Sequence, residues 1–441
     1  MGRNDMGHDA MNRDDRNQDA INQDDRTRDD IHQADVAGQA APAAGTPLEV
    51  LGAFLKLGVT SFGGPIAHLG YFRDELVLRR RWLDDEAYAD LVALCQFLPG
   101  PASSQLGFAL GLIRGGGMLG GIAAWVGFTL PSAIALGAVA LGAAAISGPA
   151  AEAVLHGLKL VAVAVVAQAV WGMARTLTPD RPRAGIALAA VALVVFLDGA
   201  PGQIAAIATG ALAGLLLCRD PDGLRQGTAP PARALAVPLS RGASLALLAA
   251  FAVLLVALPL LVQATQSQGV ALFDAFYRSG ALVFGGGHVV LPLLQAELVA
   301  PGWVTTGDFL AGYGLVQAVP GPLFTFAAWL GAVMGPAPNG IAGAAIALVA
   351  VFLPGILLVT GALPFWDALR RKARAQAAMR GANAAVVGIL GAALYAPVFT
   401  GAVLDPPDFA VALAGFLLLT VWRAPPIVAV LLITAAGVVV H

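Results

Sequence analysis

The chain is short of charge and of reactive side chains. Asp, Glu, Lys and Arg make up 12% of its 441 residues, and only three of these are lysine. Its two cysteines, Cys95 and Cys218, sit in or beside apolar segments without metal-ligand spacing. They read as small hydrophobes rather than as a disulfide or redox pair. There is no His-Glu-x-x-His, no Gly-x-Ser-x-Gly elbow and no phosphate-cradling Gly-Lys-Ser/Thr loop, which counts against an enzyme. No cofactor, metal or nucleic-acid partner is expected. The chain has no room for a soluble ATPase domain, so any pumping would draw on gradients of ions or substrate.

What the chain has in quantity is apolar surface. A hydrophobic content of 58% and a mean hydropathy of +0.75 describe a protein of the lipid bilayer. Two intervals depart from this. The first 35 residues hold ten Asp and five Arg, with Asn-Arg-Asp-Asp, Asn-Gln-Asp-Asp and Thr-Arg-Asp-Asp echoes, and so little apolar surface cannot offset the entropy of ordering. Residues 1–45 therefore read as a disordered polar tail. It lacks the apolar core of a signal peptide, and Met6 and Met11 offer later starts. The second interval, 219–241, carries Arg219, Arg225, Arg233 and Arg241 among Pro and Gly and reads as a cytoplasmic linker. It divides the rest into an N-terminal repeat, 46–218, and a C-terminal repeat, 242–441.

Repeat is meant literally. Phe62-Gly63-Gly64, Glu75-Leu76-Val77, Trp82, Gln96 and Pro99-Gly100-Pro101 recur as Phe284-Gly285-Gly286, Glu297-Leu298-Val299, Trp303, Gln317 and Pro320-Gly321-Pro322. About a dozen identities in register, many of them in uncommon residues and with a single one-residue gap, make the chain a tandem duplication.

Long apolar runs near 118–146, 152–174, 184–199, 201–218, 243–263, 341–362, 378–397, 407–422 and 425–440 read as spanning helices, some of them short for a bilayer core that needs about 20 residues. The duplicated blocks differ. Pro-Gly-Pro cuts residues 86–113 into pieces too short to cross alone, and the double glycines interrupt the stretches before them. Lipid cannot satisfy the backbone groups such breaks release, so they must face protein or a wet cavity. Broken or re-entrant helices follow. Charge then orients the halves. Arg73, Arg79, Arg80 and Arg81 precede Trp82, whereas the matching loop before Trp303 has no basic residue. Conversely, Arg370, Arg371, Lys372 and Arg374 match a first-half stretch, 147–154, that has none. Because Lys and Arg collect on cytoplasmic loops, the expected architecture is an all-α polytopic membrane protein of two inverted-topology repeats, with a substrate site near midplane where the repeats meet.

Candidate site residues follow from cost. Lys56 and Lys159 lie inside apolar stretches, and their repeat partners are Arg278 and Arg380. A cation in hydrocarbon costs about 2.5 kcal/mol or more, which four related positions would repay by binding an anion. The alternative is that they snorkel from helix ends to the headgroups. Helices restarted after Gly63, Gly64, Gly285 and Gly286, and after Pro99, Gly100, Pro101, Pro320, Gly321 and Pro322, present free N–H groups and positive dipole ends to an anion. Against this, glycine in membrane helices is often a packing device. Ser103, Ser104 and Thr325 add hydroxyls. Gln96 and Gln317 either contact substrate or satisfy the broken helix. Glu75 and Glu297 are the aligned acids, either proton-coupling groups or solvated interface residues. His68 and His288 each lack a counterpart and read as packing residues.

The paired Phe-Gly-Gly to Pro-Gly-Pro blocks resemble those of the chromate ion transporter family, in its long, duplicated form, over nearly all of residues 47–440. The resemblance implies proton-driven efflux of chromate across the bacterial inner membrane, giving chromate resistance, by a multi-pass protein. Chromate is a tetrahedral dianion shaped like sulfate, which fits the basic positions and helix ends. Two departures stand out: Gly287 replaces the Pro65 of the first copy, and the acidic tail looks private to this chain. Partners are then the oxyanion, chromate or sulfate, the lipid bilayer, and a second copy in a homodimer. A sulfate or other oxyanion carrier, an anion channel and a membrane-embedded enzyme are the competing readings.

Overall fold

The computed structural model describes residues 45–143, 148–197, 199–218, 239–370 and 372–440. The polar tail and nearly all of the linker lie outside these. The described residues are helical, without strands. In the first half run α1 (Pro47–Thr60), α2 (Gly64–Phe72, continued by a π-helical turn Arg73–Arg79), α3 (Asp85–Phe97), α4 (Ala102–Arg114), α5 (Met118–Ala143), α6 (Pro149–Leu177), α7 (Arg181–Phe196) and α8 (Gly199–Leu217). After α9 (Arg241–Thr265), the second half repeats the order. It comprises α10 (Gln268–Ala281), α11 (Val290–Leu298), α12 (Thr306–Val316), α13 (Phe326–Val333), α14 (Gly340–Ala362), α15 (Ala373–Ala393), α16 (Pro406–Thr420) and α17 (Pro426–Val440). Six helices, built on α5, α6, α8, α9, α14 and α15, are long and apolar enough to cross a bilayer.

Local chemistry sets the boundaries. Thr46 caps α1 by accepting from the Glu49 N–H at 3.2 Å, with Pro47 where a missing N–H costs nothing. The helix stops at Ser61, because Gly63 (φ +98°) and Gly64 (φ +77°) turn the chain left-handed. Asp84 and Thr305 cap the matched α3 and α12.

One helix has no counterpart. A repeat boundary at 242 puts α9 inside the second half, yet α10 is the element that matches α1. Only Ser244 and Leu258 of α9 are buried. So apolar a helix with so little burial belongs against lipid, and it touches the rest through α10 and α14.

Packing divides the helices into two groups. In one, α1 lies on α5 and α10 on α14. A methyl group on Gly58 would meet the Gly127 carbonyl at 2.5 Å, and one on Gly280 would collide with the Val351 carbonyl, so both pairs touch backbone to backbone. In the other group the halves are interleaved. α7 and α8 of the first half pack on α15 of the second, and α16 and α17 pack on α6.

Candidate functional site

The four helix breaks meet. The Gly100 N–H donates to the Val283 carbonyl at 2.7 Å, and the Gly321 N–H donates to the Ser61 carbonyl at 2.9 Å. Each Pro-Gly-Pro is thus bonded to the residue just before the opposite half's Phe-Gly-Gly. The Pro65 side chain lies against Gly287, next to Leu323 and Phe324. Gly100 (φ +120°) and Gly321 (φ +102°) hold conformations that L side chains rarely adopt. Their N–H groups are committed to these bonds, so they are not the free anion donors the sequence suggests. Any such donors must come from the first turns of α4 and α13 or from the Phe-Gly-Gly breaks.

Buried hydroxyls surround this junction. Ser61 and Ser104 have buried Oγ atoms without a hydrogen-bond partner among the described residues. Ser103 Oγ lies 3.4 Å from His68 Nδ1, Thr325 donates to the Pro322 carbonyl at 2.7 Å, and His288 Nδ1 lies 2.6 Å from the Tyr313 hydroxyl. The last contact gives His288 a partner that sequence reasoning missed. Gln317 donates within its own helix end, to the Tyr313 carbonyl at 3.4 Å, while Gln96 is exposed.

The four embedded cations fall into two kinds. Lys56 and Arg278 are neutralised by the acids aligned with each other. Lys56 Nζ is 2.6 Å from Glu75 Oε2, with Arg80 and Arg79 at 2.8 and 3.1 Å from the same carboxylate. Arg278 is 3.0 Å from Glu297 and 2.9 Å from Asp274. The two acids, at the loop-side ends of the broken helices and outside the six long spans, differ in proton affinity. Burial works to raise Glu75, but the hydrogen bonds from Lys56 and Arg80 prevail and hold it at about 2. Glu297 moves up: its burial outweighs the attraction of Arg278, and Asp274 adds to the rise.

Lys159 and Arg380 are the other kind. Neither has a carboxylate within ion-pair distance among the described residues. Lys159 lines a polar hollow of about 510 Å³ with Glu152, His156, Thr305 and Asp308, beneath which His156 Nε2 and Asp408 Oδ1 are 2.7 Å apart. Arg380 Nε and Asn383 Oδ1 are buried without hydrogen-bond partners among the described residues. Asn383 sits 3.5 Å from where a Cβ on Gly285 would stand, which places α15 beside the second Phe-Gly-Gly break. Asn383 carried no signal in the sequence, because the first copy has Ala162 there.

This architecture accompanies a family match. The family model described as chromate transporter matches residues 48–215 and again 270–439. The chain belongs to the chromate transporter family. It is a membrane transporter and not an enzyme. Between the two matched segments lies α9, the helix without a counterpart. The transporter is 32% identical over 370 residues to the chromate transport protein of Pseudomonas aeruginosa, covering 81% of this chain and 82% of that one. It is 27% identical over 344 residues to the probable chromate transport protein of Synechococcus elongatus, covering 77% and 82%. The chromate transport protein of Cupriavidus metallidurans is likewise 27% identical over 344 residues, covering 77% and 80%. No solved structure matches the transporter.

Proposed function

We propose that this protein is a secondary active transporter that exports chromate from the bacterial cytoplasm across the inner membrane and so confers chromate resistance. The observation that carries the reading is the junction of four helix breaks, each half's Pro-Gly-Pro bonded to the other half's Phe-Gly-Gly. Broken backbone at such a depth is tolerated where it lines a protein-covered or wet cavity, and helix ends there are suited to a tetrahedral dianion.

Inverted orientation follows from counting. If α1–α2 and α3–α4 turn back at their breaks, the first half crosses four times and ends on the side where it began. The lone helix α9 adds a fifth crossing, so the second half starts from the opposite face. On that path the basic residues 73–81, 114, 175–183, 241, 370–374 and 423 all fall on one side. The opposite loops, 144–149, 266–268, 299–306, 334–340 and 403–406, contain no Lys or Arg.

Within this scheme, Lys159 and Arg380, the cations without counter-ions, are the anion-attracting groups at the two mouths. Lys56 and Arg278 hold the broken helices together through Glu75 and Glu297. Glu297, whose proton affinity is raised, is the coupling carboxylate. Chromate uptake into inverted membrane vesicles, with and without a proton gradient and with sulfate as competitor, tests the reading. Saturable uptake that collapses with the gradient is expected. Unsaturable, gradient-independent flux would make the protein a channel, and stronger uptake of sulfate than of chromate would make it a sulfate carrier.

A further inference from the structure

The two halves repeat the same elements but do not pack alike. α12 lies along α6, so close that a methyl group on Gly314 would collide with the Leu158 carbonyl. The matching helices are α3 and α15, with Ala93 in the place of Gly314 and Met379 in that of Leu158. No comparable packing joins α3 to α15 among the described residues. The consequence shows residue by residue. On α12, the face Gly307, Leu310, Gly314 and Gln317 is covered, with Leu310 and Gly314 buried. On α3, the same face is Glu86, Ala89, Ala93 and Gln96, and all four are exposed.

That bare face is not built for lipid, since it carries a carboxylate at one end and an amide at the other. Two alanines between them are what close helix contact requires. The surface that the symmetry of the repeats would bring against it has matching chemistry. On α15, Gln376 is exposed, Met379, Arg380 and Asn383 are half-buried, and Arg380 has no ion-pair partner among the described residues. The edge of α3 is already held next to the start of α15. Asp90 accepts from Trp366 Nε1 and from Arg370, both at 3.0 Å, in the segment that leads into α15.

We infer that the described arrangement is one of two states related by exchanging the roles of the halves. In the other state α12 leaves α6, and the Glu86–Ala89–Ala93–Gln96 face of α3 docks on Met379, Arg380 and Asn383 of α15, with Glu86 pairing with Arg380. This rests on the transport reading given above. On the topology argued there, the present state is closed on the side opposite the basic loops and open to the cytoplasm, and docking of α3 shuts the cytoplasmic mouth. The Glu86 carboxylate then takes the place of a bound oxyanion at Arg380. Closure on the other side brings Gly307 to Lys159, in a hollow that Glu152 and Asp308 also line.

The test is a disulfide between Ala93→Cys and Met379→Cys in a chain carrying Cys95→Ala and Cys218→Ser, in membranes. Oxidation should cross-link the pair and abolish chromate flux, and reductant should restore it, while each single-cysteine variant keeps its flux. Glu86→Gln should lower the cross-linking yield and Glu86→Asp should largely retain it. A pair that never cross-links in a protein that transports, or that cross-links with no loss of flux, overturns the inference. Cross-linking in a protein that carries no chromate would leave the exchange standing and remove the substrate assignment instead.

Discussion

At the scale of single residues, four cations that look equivalent in the sequence separate by their partners. Lys56 shares Glu75 with Arg79 and Arg80, and its side chain is 44% exposed, so Lys56→Ala should cost no more than about 1 kcal/mol of stability and spare most of the flux. Among the described residues Arg278 is the sole basic ion-pair partner of Glu297 and of Asp274, and it is less exposed. Its removal leaves two carboxylates facing each other, which should cost about 3 kcal/mol and lower the melting temperature in detergent, with Arg278→Ala, Asp274→Asn recovering part of the loss. Lys159→Ala and Arg380→Ala break no ion pair among the described residues. They should fold and insert normally while losing most chromate flux, and wild-type flux in both would exclude them as anion groups. The two acids predict opposite responses to pH. Glu75, held at about 2, contributes stability that is present above the ordinary carboxylate range and fades as pH falls toward 2. Glu297, with its affinity raised, contributes in its protonated form, fully below the ordinary range and less as pH rises through its folded value. Glu297→Gln fixes the neutral form and should uncouple flux from an imposed pH gradient. Glu75→Gln should instead lower stability. Retained gradient dependence in Glu297→Gln would move the coupling role elsewhere.

At the scale of elements, the breaks were legible because glycine and proline act on their own backbone. Phe-Gly-Gly and Pro-Gly-Pro stop helices wherever they occur, and the observed boundaries at Thr60, Gly64, Phe97 and Ala102 fall where those residues put them. What the breaks bond to was not legible. Val283 and Ser61 supply only backbone carbonyls, and a carbonyl leaves no residue-specific trace. The same limit applies to the pairing of Lys56 with Glu75, nineteen residues and a helix break apart. The bonds sharpen a prediction about the glycines. A Cβ on Gly100 would lie 3.2 Å from Gly355 Cα and 3.0 Å from Gln105 Nε2, and one on Gly321 would lie 2.8 Å from Ser132 Oγ. Each alanine also meets a left-handed backbone, costing about 1–2 kcal/mol. Gly100→Ala and Gly321→Ala should therefore loosen the junction from either side and severely reduce chromate flux in protein that still inserts. Gly137→Ala, in α5 with nothing within 4 Å of its added methyl, should be silent. Normal flux in both break variants would reduce the Pro-Gly-Pro segments to kinks.

At the scale of the whole molecule, the decisive part is the one that resembles nothing else in the chain. α9 has the apolarity of a spanning helix, lies outside both family-matched segments and buries only two of its residues. A helix of so little packing has little structural value to the helices beside it. On the proposed topology its value is one crossing: an even number of crossings in the first half would leave the second half parallel, and one more would invert it. In the sequence α9 shows as an apolar run that falls within the second repeat, because composition marks a span without saying which unit owns it. The topology fixes where a membrane-impermeant thiol reagent reaches in a cysteine-free background. Arg80→Cys and Lys372→Cys should react from the cytoplasm, and Thr305→Cys from the periplasm. Removing residues 241–265 should then either return Thr305→Cys to the cytoplasmic side or leave a chain that fails to insert and is degraded. Flux should be absent in both cases, since a second half turned over relative to the first no longer meets it in the described arrangement, with Gly100 bonded to Val283 and Gly321 to Ser61. Replacing α9 by an unrelated apolar helix of equal length should restore labelling and most of the flux, because the polar contact of Tyr277 with α9 is a hydrogen bond to a backbone carbonyl, that of Phe251 at 3.0 Å, which any helix can present. If Thr305→Cys and Arg80→Cys label from one side in the intact protein, the halves are parallel and α9 has another role.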